Sequence, residues 1–131
     1  MTQQLRWPNI EAALVAYFSA ALAIPVFTTT GTETASTHDR FLKIERSGTS
    51  SLWISKHMDI SISVITHDRS SMWDLVADTE STLESLNPGQ AGPIYIDEVE
   101  EIFGFAYDPA DDPALRQASA IFSLTLRPNQ G

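Results

Sequence analysis

No cysteine occurs in the 131 residues, which removes a disulfide framework, a thiolate metal site and a cysteine nucleophile together. A chain without thiols suits either redox compartment. Positive charge is also scarce: Lys and Arg total 8 against 17 Asp and Glu, a formal charge of -9 at pH 7. A protein that grips nucleic acid draws most of its affinity from Lys and Arg on phosphates, so this balance argues against general nucleic-acid binding. The longest apolar stretch, Ala12 to Ile24, is shorter than the roughly 20 residues that a membrane span requires. Ala21-Leu22-Ala23 has the small-residue character of a signal cleavage site. Arg6 is the only positive residue ahead of it, however, and Glu11 abuts the apolar run, so a buried helix is the expectation. Closely spaced glycines leading into a helix and ending in Lys are missing, as is G-x-S-x-G, so neither a phosphate loop nor a serine-hydrolase elbow is present.

What is present is a folded composition, 43% apolar and 19% charged, long enough for one domain over residues 1–131. Pro8 and Asn9 fit a helix start, Ile10, Leu14, Tyr17, Phe18 and Ala21 recur at helical spacing, and Pro25 ends the pattern. Val15 and Leu22 make the other side apolar too, which predicts cover on more than one side, by a sheet and by another subunit. Val26 to Thr30 reads as a short strand and 31–38 as a mobile Thr, Ser and Gly-rich loop. From Phe41 the chain alternates, with Leu42 and Ile44 on one face and Phe41, Lys43 and Glu45 on the other. Ser47 to Ser51 reads as a turn, and Leu52 to Val64 as the antiparallel partner strand.

Ser70 or Ser71 is the expected cap of a second helix, with Asp74 in a capping-box position and Met72, Val76, Thr79, Leu83 and Leu86 as its core stripe. Asn87-Pro88-Gly89 stops it. Strands follow at about 93–107 and 117–127, joined by the turn-rich DPADDPAL. The order predicts a single α+β domain, a mainly antiparallel or mixed β-sheet with two α-helices packed on one face.

Candidate chemistry is thin. His38, His57 and His67 lie in separate segments without metal-ligand spacing. Asp108, Asp111 and Asp112 supply oxygens for a hard cation, but their spacing is not that of a twelve-residue calcium loop, and two prolines explain the segment as a turn. Glu100 and Glu101, adjacent on a strand, point to opposite faces and cannot form an acid-base dyad. Charge distribution carries more information. Arg40, Lys43, Arg46 and Lys56 cluster in one stretch, whereas no Lys or Arg occurs between Arg69 and Arg116, a segment that holds Asp74, Asp78, Glu80, Glu84, Asp97, Glu98, Glu100 and Glu101. Trp53 beside the basic hairpin and Trp73 at the border of the acidic helix stand where interface anchors are found.

The helix IEAALVAYF, the Thr-rich loop, DRFLKIERSGT, the alternating DISISVITH, a helix ending LESL and the last strand FSLTLRP together resemble the small tail terminator, or tail-completion, proteins of long-tailed bacteriophages of siphophage type, above all those of actinobacterial hosts. The resemblance spans nearly the whole chain. It implies a homohexameric ring on the last ring of the tail tube protein, which halts tube polymerisation and offers a surface to the head-to-tail connector. It places the protein in the tail and neck of the virion, and in host cytoplasm during assembly, with no catalysis and no cofactor. Genome DNA would pass through an acidic lumen that repels phosphates. The long acidic stretch after Leu86 departs from the family pattern.

A ring needs two different patches on each subunit. The expected ones are the basic hairpin with Arg40, Lys43, Glu45, Arg46, Trp53 and Lys56, and an acidic helix or strand, with Trp73, Asp74 and Asp78 on the helix. Another neck or head-closure protein is the alternative reading. A small monomeric hydrolase or ligand-binding domain, from a different class, would require a deep pocket gathering two or more of Asp97, Glu100, Asp108 and the histidines.

Overall fold

The computed structural model describes residues 9–28, 39–51, 56–110 and 112–127, with the backbone alone at 47–51 and 56. The loop at 31–38, Trp53 and Asp111 lie outside the described residues.

Helix α1 (Ile10–Leu22) begins as the sequence indicates: the Asn9 side chain accepts the Ala12 N–H at 3.2 Å. Ile10, Leu14 and Phe18, four apart, form its buried stripe. Tyr17 is half-buried, and Ala21, expected on that stripe, is exposed. The helix stops at Ala23, which takes a left-handed conformation (φ 55°, ψ 41°) and donates its N–H to the Ser19 carbonyl at 2.9 Å. The chain then enters β1 (Val26–Phe27), shorter than the strand expected to Thr30, whose last two residues are not described.

Strand β2 (Arg40–Ser51) pairs antiparallel with β3 (Lys56–Thr66) along its whole length. The turn expected at Ser47 to Ser51 is therefore strand, with only a register shift between Arg46 and Gly48, and the reversal falls between residues 51 and 56. Ser, Gly and Thr lack an apolar alternation there, but the β3 ladder holds their backbone extended. Leu42 and Ile44 face the helices as predicted, while Phe41 on the other face is buried with Ile65 and Leu115 in a small second core, its ring edge-on to Phe27 with centroids 5.8 Å apart.

Helix α2 (Arg69–Glu84) is capped two or three residues earlier than expected, by Asp68 and not by Ser70 or Ser71. Asp68 Oδ1 accepts the Ser71 N–H and its Oδ2 the Ser71 hydroxyl, both at 2.8 Å, so Ser71 is the capped residue and Asp74 lies in mid-helix. Met72, Val76, Thr79 and Leu83 are buried as predicted, together with Leu75, and Leu86 just past the helix. The Thr79 hydroxyl donates to the Leu75 carbonyl, which is why a polar side chain sits at 0% exposure. After a cis peptide at Asn87-Pro88 come β4 (Gly89–Ala91), a turn with Gly92 at φ +56°, β5 (Ile94–Tyr107) and β6 (Arg116–Leu126).

The six strands form one sheet in the order β1-β2-β3-β6-β5-β4, antiparallel throughout except for β1 with β2. Leu42, Ile44, Met58, Ile60, Ile62, Val64, Phe122 and Leu124 share one core with both helices, so the two helices cover the same face of a single α+β domain. The other face carries Lys43, Glu45, Ser61, Ser63, Ser119 and Ser123, its hydroxyls partly paired across strands, as Ser63 Oγ to Ser119 Oγ at 3.0 Å.

Candidate assembly interface

Spacing on a strand decides what the basic segment can do. Arg40 and Arg46 are an even number of residues from Leu42 and Ile44, so they project to the helix side, where Arg40 pairs across to Thr66 and Arg46 to Ile60. Lys43 projects to the bare face, and its Nζ lies 3.5 Å from Glu45 Oε1. The three cations thus do not form one patch, contrary to the simplest reading of their clustering: a spacing of three unites faces on a helix and separates them on a strand. Lys56 opens β3 at the far end of the same hairpin.

Other cations are engaged locally. Arg127 Nε pairs with Asp97 Oδ1 at 2.7 Å, and its guanidinium lies 5.0 Å from the Tyr95 ring centroid. Arg69 stands over Tyr107 at 5.3 Å. Arg116 donates to the carbonyls of Pro113 and Leu115 at 3.0 Å, closing the turn before β6. Between Arg69 and Arg116 Asp97 is the one carboxylate with an ion pair among the described residues.

Trp73 is 38% exposed on α2, and Asp74 and Asp78, one turn apart, are exposed as well. A shallow depression of about 390 Å³ lies beside this helix, lined by Glu80, Leu83, Glu84, Asn87, Val99, Glu101 and Phe122, so its floor is apolar and its rim acidic. α2 and β5 together form this side. Ile102 and Phe103 are 45% and 65% exposed on that strand, and adjacent carboxylates at Glu98, Glu100 and Glu101 gave no periodic signal of where its apolar groups point. The basic strand packs beneath α1, whereas α2 packs over β3, β6 and β5, so the expected positive and negative sets occupy separate parts of one copy.

A second depression, about 380 Å³ on the bare face, is lined by Lys43, Glu45, Phe103, Asp108, Gln117 and neighbouring small side chains. Asp108 Oδ2 accepts from Gln117 Nε2 and from the Ser119 hydroxyl, both at 3.1 Å. Neither depression gathers the combination of Asp97, Glu100, Asp108 and histidines that an acid-base site would require. His57 Nδ1 is instead 3.1 Å from Thr125 Oγ1, and His67 Nε2 is 3.4 Å from Asp39. Among the described residues no group of three His, Asp or Glu is arranged to hold a metal ion, and no helix is long and apolar enough to cross a membrane. The Asp68 carboxyl is held below its ordinary pKa by the Ser71 backbone and hydroxyl hydrogen bonds.

No protein-family model and no curated protein matches the chain. Among solved structures it is similar to a chain of the virion of a native gene transfer agent particle, with a TM-score of 0.56 at 12% identity, covering 84% of this chain and 84% of that one. At that identity the likeness is one of fold, and it extends over most of both chains.

Proposed function

We propose that the protein is a structural component of a phage-like virion, and within it a tail terminator: a homohexameric ring that caps the tail tube, stops tube polymerisation and presents a surface to the head-to-tail connector. The observation that carries this reading is the fold, shared over 84% of each chain with a component of a gene transfer agent virion. The charge layout supports it. Cations concentrate on the β2–β3 hairpin, while α2 and β5 carry many carboxylates, of which Asp97 pairs with Arg127. A heterologous, ring-forming contact requires two different surfaces of this kind on each subunit.

Six copies would carry about six times the formal -9, and a lumen of that sign lets DNA slide through without being held. The shallow depressions and an exposed Trp73 suit a docking protein better than a catalyst. The test is native mass spectrometry of the purified protein across salt concentrations, with particle imaging in the presence of tail tubes. A sixfold species, or six copies at tube ends, supports the reading. A chain that stays monomeric and also ignores tube ends overturns it.

A further inference from the structure

On the helix side of the sheet, α2 and β5 leave a groove between them. At about 100° per residue, Arg69, Trp73, Glu80 and Glu84 fall on one stripe of α2. Arg69 reaches β5 at one end of that stripe, its guanidinium 5.3 Å from the Tyr107 ring centroid. Past the other end, Asn87 Oδ1 accepts the Val99 N–H at 3.0 Å. The stripe therefore faces β5 along its length, and the depression of about 390 Å³ lies toward the Asn87 end.

The floor of the groove is Leu83, Val99 and Phe122, and Phe105 continues it with its ring 5.9 Å from that of Phe122. Leu83 and Phe122 belong to the core, while Val99 and Phe105 are only partly buried, so apolar surface is left uncovered. The rim is Glu80, Glu84 and Glu101, all exposed. Among the described residues no Lys, Arg or His lies within ion-pair distance of these three carboxylates, and no group of three is arranged to hold a metal ion. An uncovered apolar floor inside a rim of one charge sign selects a ligand that has both an apolar body and positive side chains.

We infer that this groove receives a basic, apolar segment of a partner protein, with its apolar side chains on Val99, Phe105 and Phe122 and its Lys or Arg side chains on Glu80, Glu84 and Glu101. Charge complementarity sets the sign of the partner: an acidic segment would bring like charges together at the rim, and a small polyamine would leave the floor uncovered. The partner is a different protein and not a second copy. Among the described residues, the stretch of this chain that alternates cations with apolar side chains is Arg40 to Arg46, and its Phe41, Leu42 and Ile44 are already buried. Asp74 and Asp78, the helix carboxylates expected to meet the next copy, lie roughly 120–160° round α2 from Glu80. Ser85, on their side of the helix, bonds the Tyr17 hydroxyl of α1 at 2.7 Å, so α1 flanks α2 on the side away from the groove. The groove is thus a second acidic surface, and its occupancy does not depend on ring formation.

The test uses a capped, dye-labelled peptide of about five residues in which Lys or Arg alternates with a photo-reactive leucine. Fluorescence anisotropy on the full chain reads affinity, and mapping of the photo-cross-link reads position, whether the chain is single or in a ring. Cross-links should fall on the second half of α2 and on β5 from Val99 to Phe105, and affinity should drop as salt is raised. Glu80→Gln with Glu84→Gln keeps the shape, removes two rim charges and should weaken the peptide about threefold to tenfold. Asp74→Asn with Asp78→Asn removes as much charge from the far side of the helix and should leave affinity within about twofold. Peptides with Ser in place of leucine, or Glu in place of the cations, should not bind. Absence of binding at millimolar peptide, cross-links centred elsewhere, or equal weakening by the two double variants would overturn the groove as the site. None of those results bears on a sixfold species in native mass spectrometry, so the groove and the ring fail separately.

Discussion

Replacing Phe18 by alanine tests how the sheet margin is held. Phe18 is 0% exposed on α1, between Leu14 and the strands beneath, and its ring meets the half-buried Tyr17 ring edge-on with centroids 6.1 Å apart. Truncating a fully buried Phe costs about 3–5 kcal/mol in lost transfer energy and residual cavity, a large part of the roughly 5–15 kcal/mol by which a domain is stable. With a urea slope of about 2 kcal/mol per molar, the midpoint should fall by roughly 2 M while the slope holds. Tyr17→Phe is the matched control, because it removes only a hydroxyl that bonds Ser85 Oγ at 2.7 Å, and should cost about 1 kcal/mol. Tryptophan fluorescence through the urea transition measures both. Since α1 packs on β1 and β2, F18A should also loosen the β2 margin and depress assembly at denaturant concentrations where the chain is still folded. Loss of less than about 1 kcal/mol in F18A would refute the packing of α1 described above.

The remaining predictions concern a close backbone approach, a helix cap and the charged hairpin. Gly89→Ala should destabilise by about 1–3 kcal/mol, read by thermal unfolding, because a Cβ there would run into the Ser85 carbonyl oxygen and stand 2.8 Å from Leu86 Cα. Asp68 has a lowered folded pKa, so its contribution is full above the unfolded carboxylate value near 4 and fades as pH falls through the lower folded value. Denaturation from pH 6 to pH 2 should show Asp68→Asn less stable than the parent at the neutral end and converging on it in acid; parallel curves would remove the cap as the cause. Lys43→Glu and Arg46→Glu should each leave the fold within about 0.5 kcal/mol by circular dichroism melts, since both side chains are exposed or partly exposed. Reversing both charges together should weaken assembly in size-exclusion chromatography, and an unchanged oligomer would remove the basic hairpin as the subunit contact.

Much of the fold was legible because periodicity and burial coincide. Ile10, Leu14 and Phe18 at helical spacing and Ile60, Ile62 and Val64 at strand spacing each fill one core face, so pattern alone located α1 and β3. The errors fell where that coupling is absent. At Ser47 to Ser51 no apolar alternation exists to report the strand, which is held by its pairing with β3. At the start of α2, Asp68, Ser70 and Ser71 are all competent caps, and the choice follows from Asp68 accepting both polar groups of Ser71. The candidate interface was legible as a charge imbalance and not as a geometry. Arg40, Lys43 and Arg46 are neighbours in sequence, but strand alternation divides them between faces, which emerges only from the pairing register. Lone positions such as Phe103, exposed on a strand whose register shifts between Glu101 and Ala106, carry no sequence signal of which way they face.

The role we propose for this chain is to end a virion tail tube as a ring. Its most direct test adds the purified protein to polymerising tail tubes and measures tube length and end occupancy by electron microscopy. Growth that stops with six copies at one end of each tube is the predicted result. Tubes that lengthen at an unchanged rate with bare ends would contradict it.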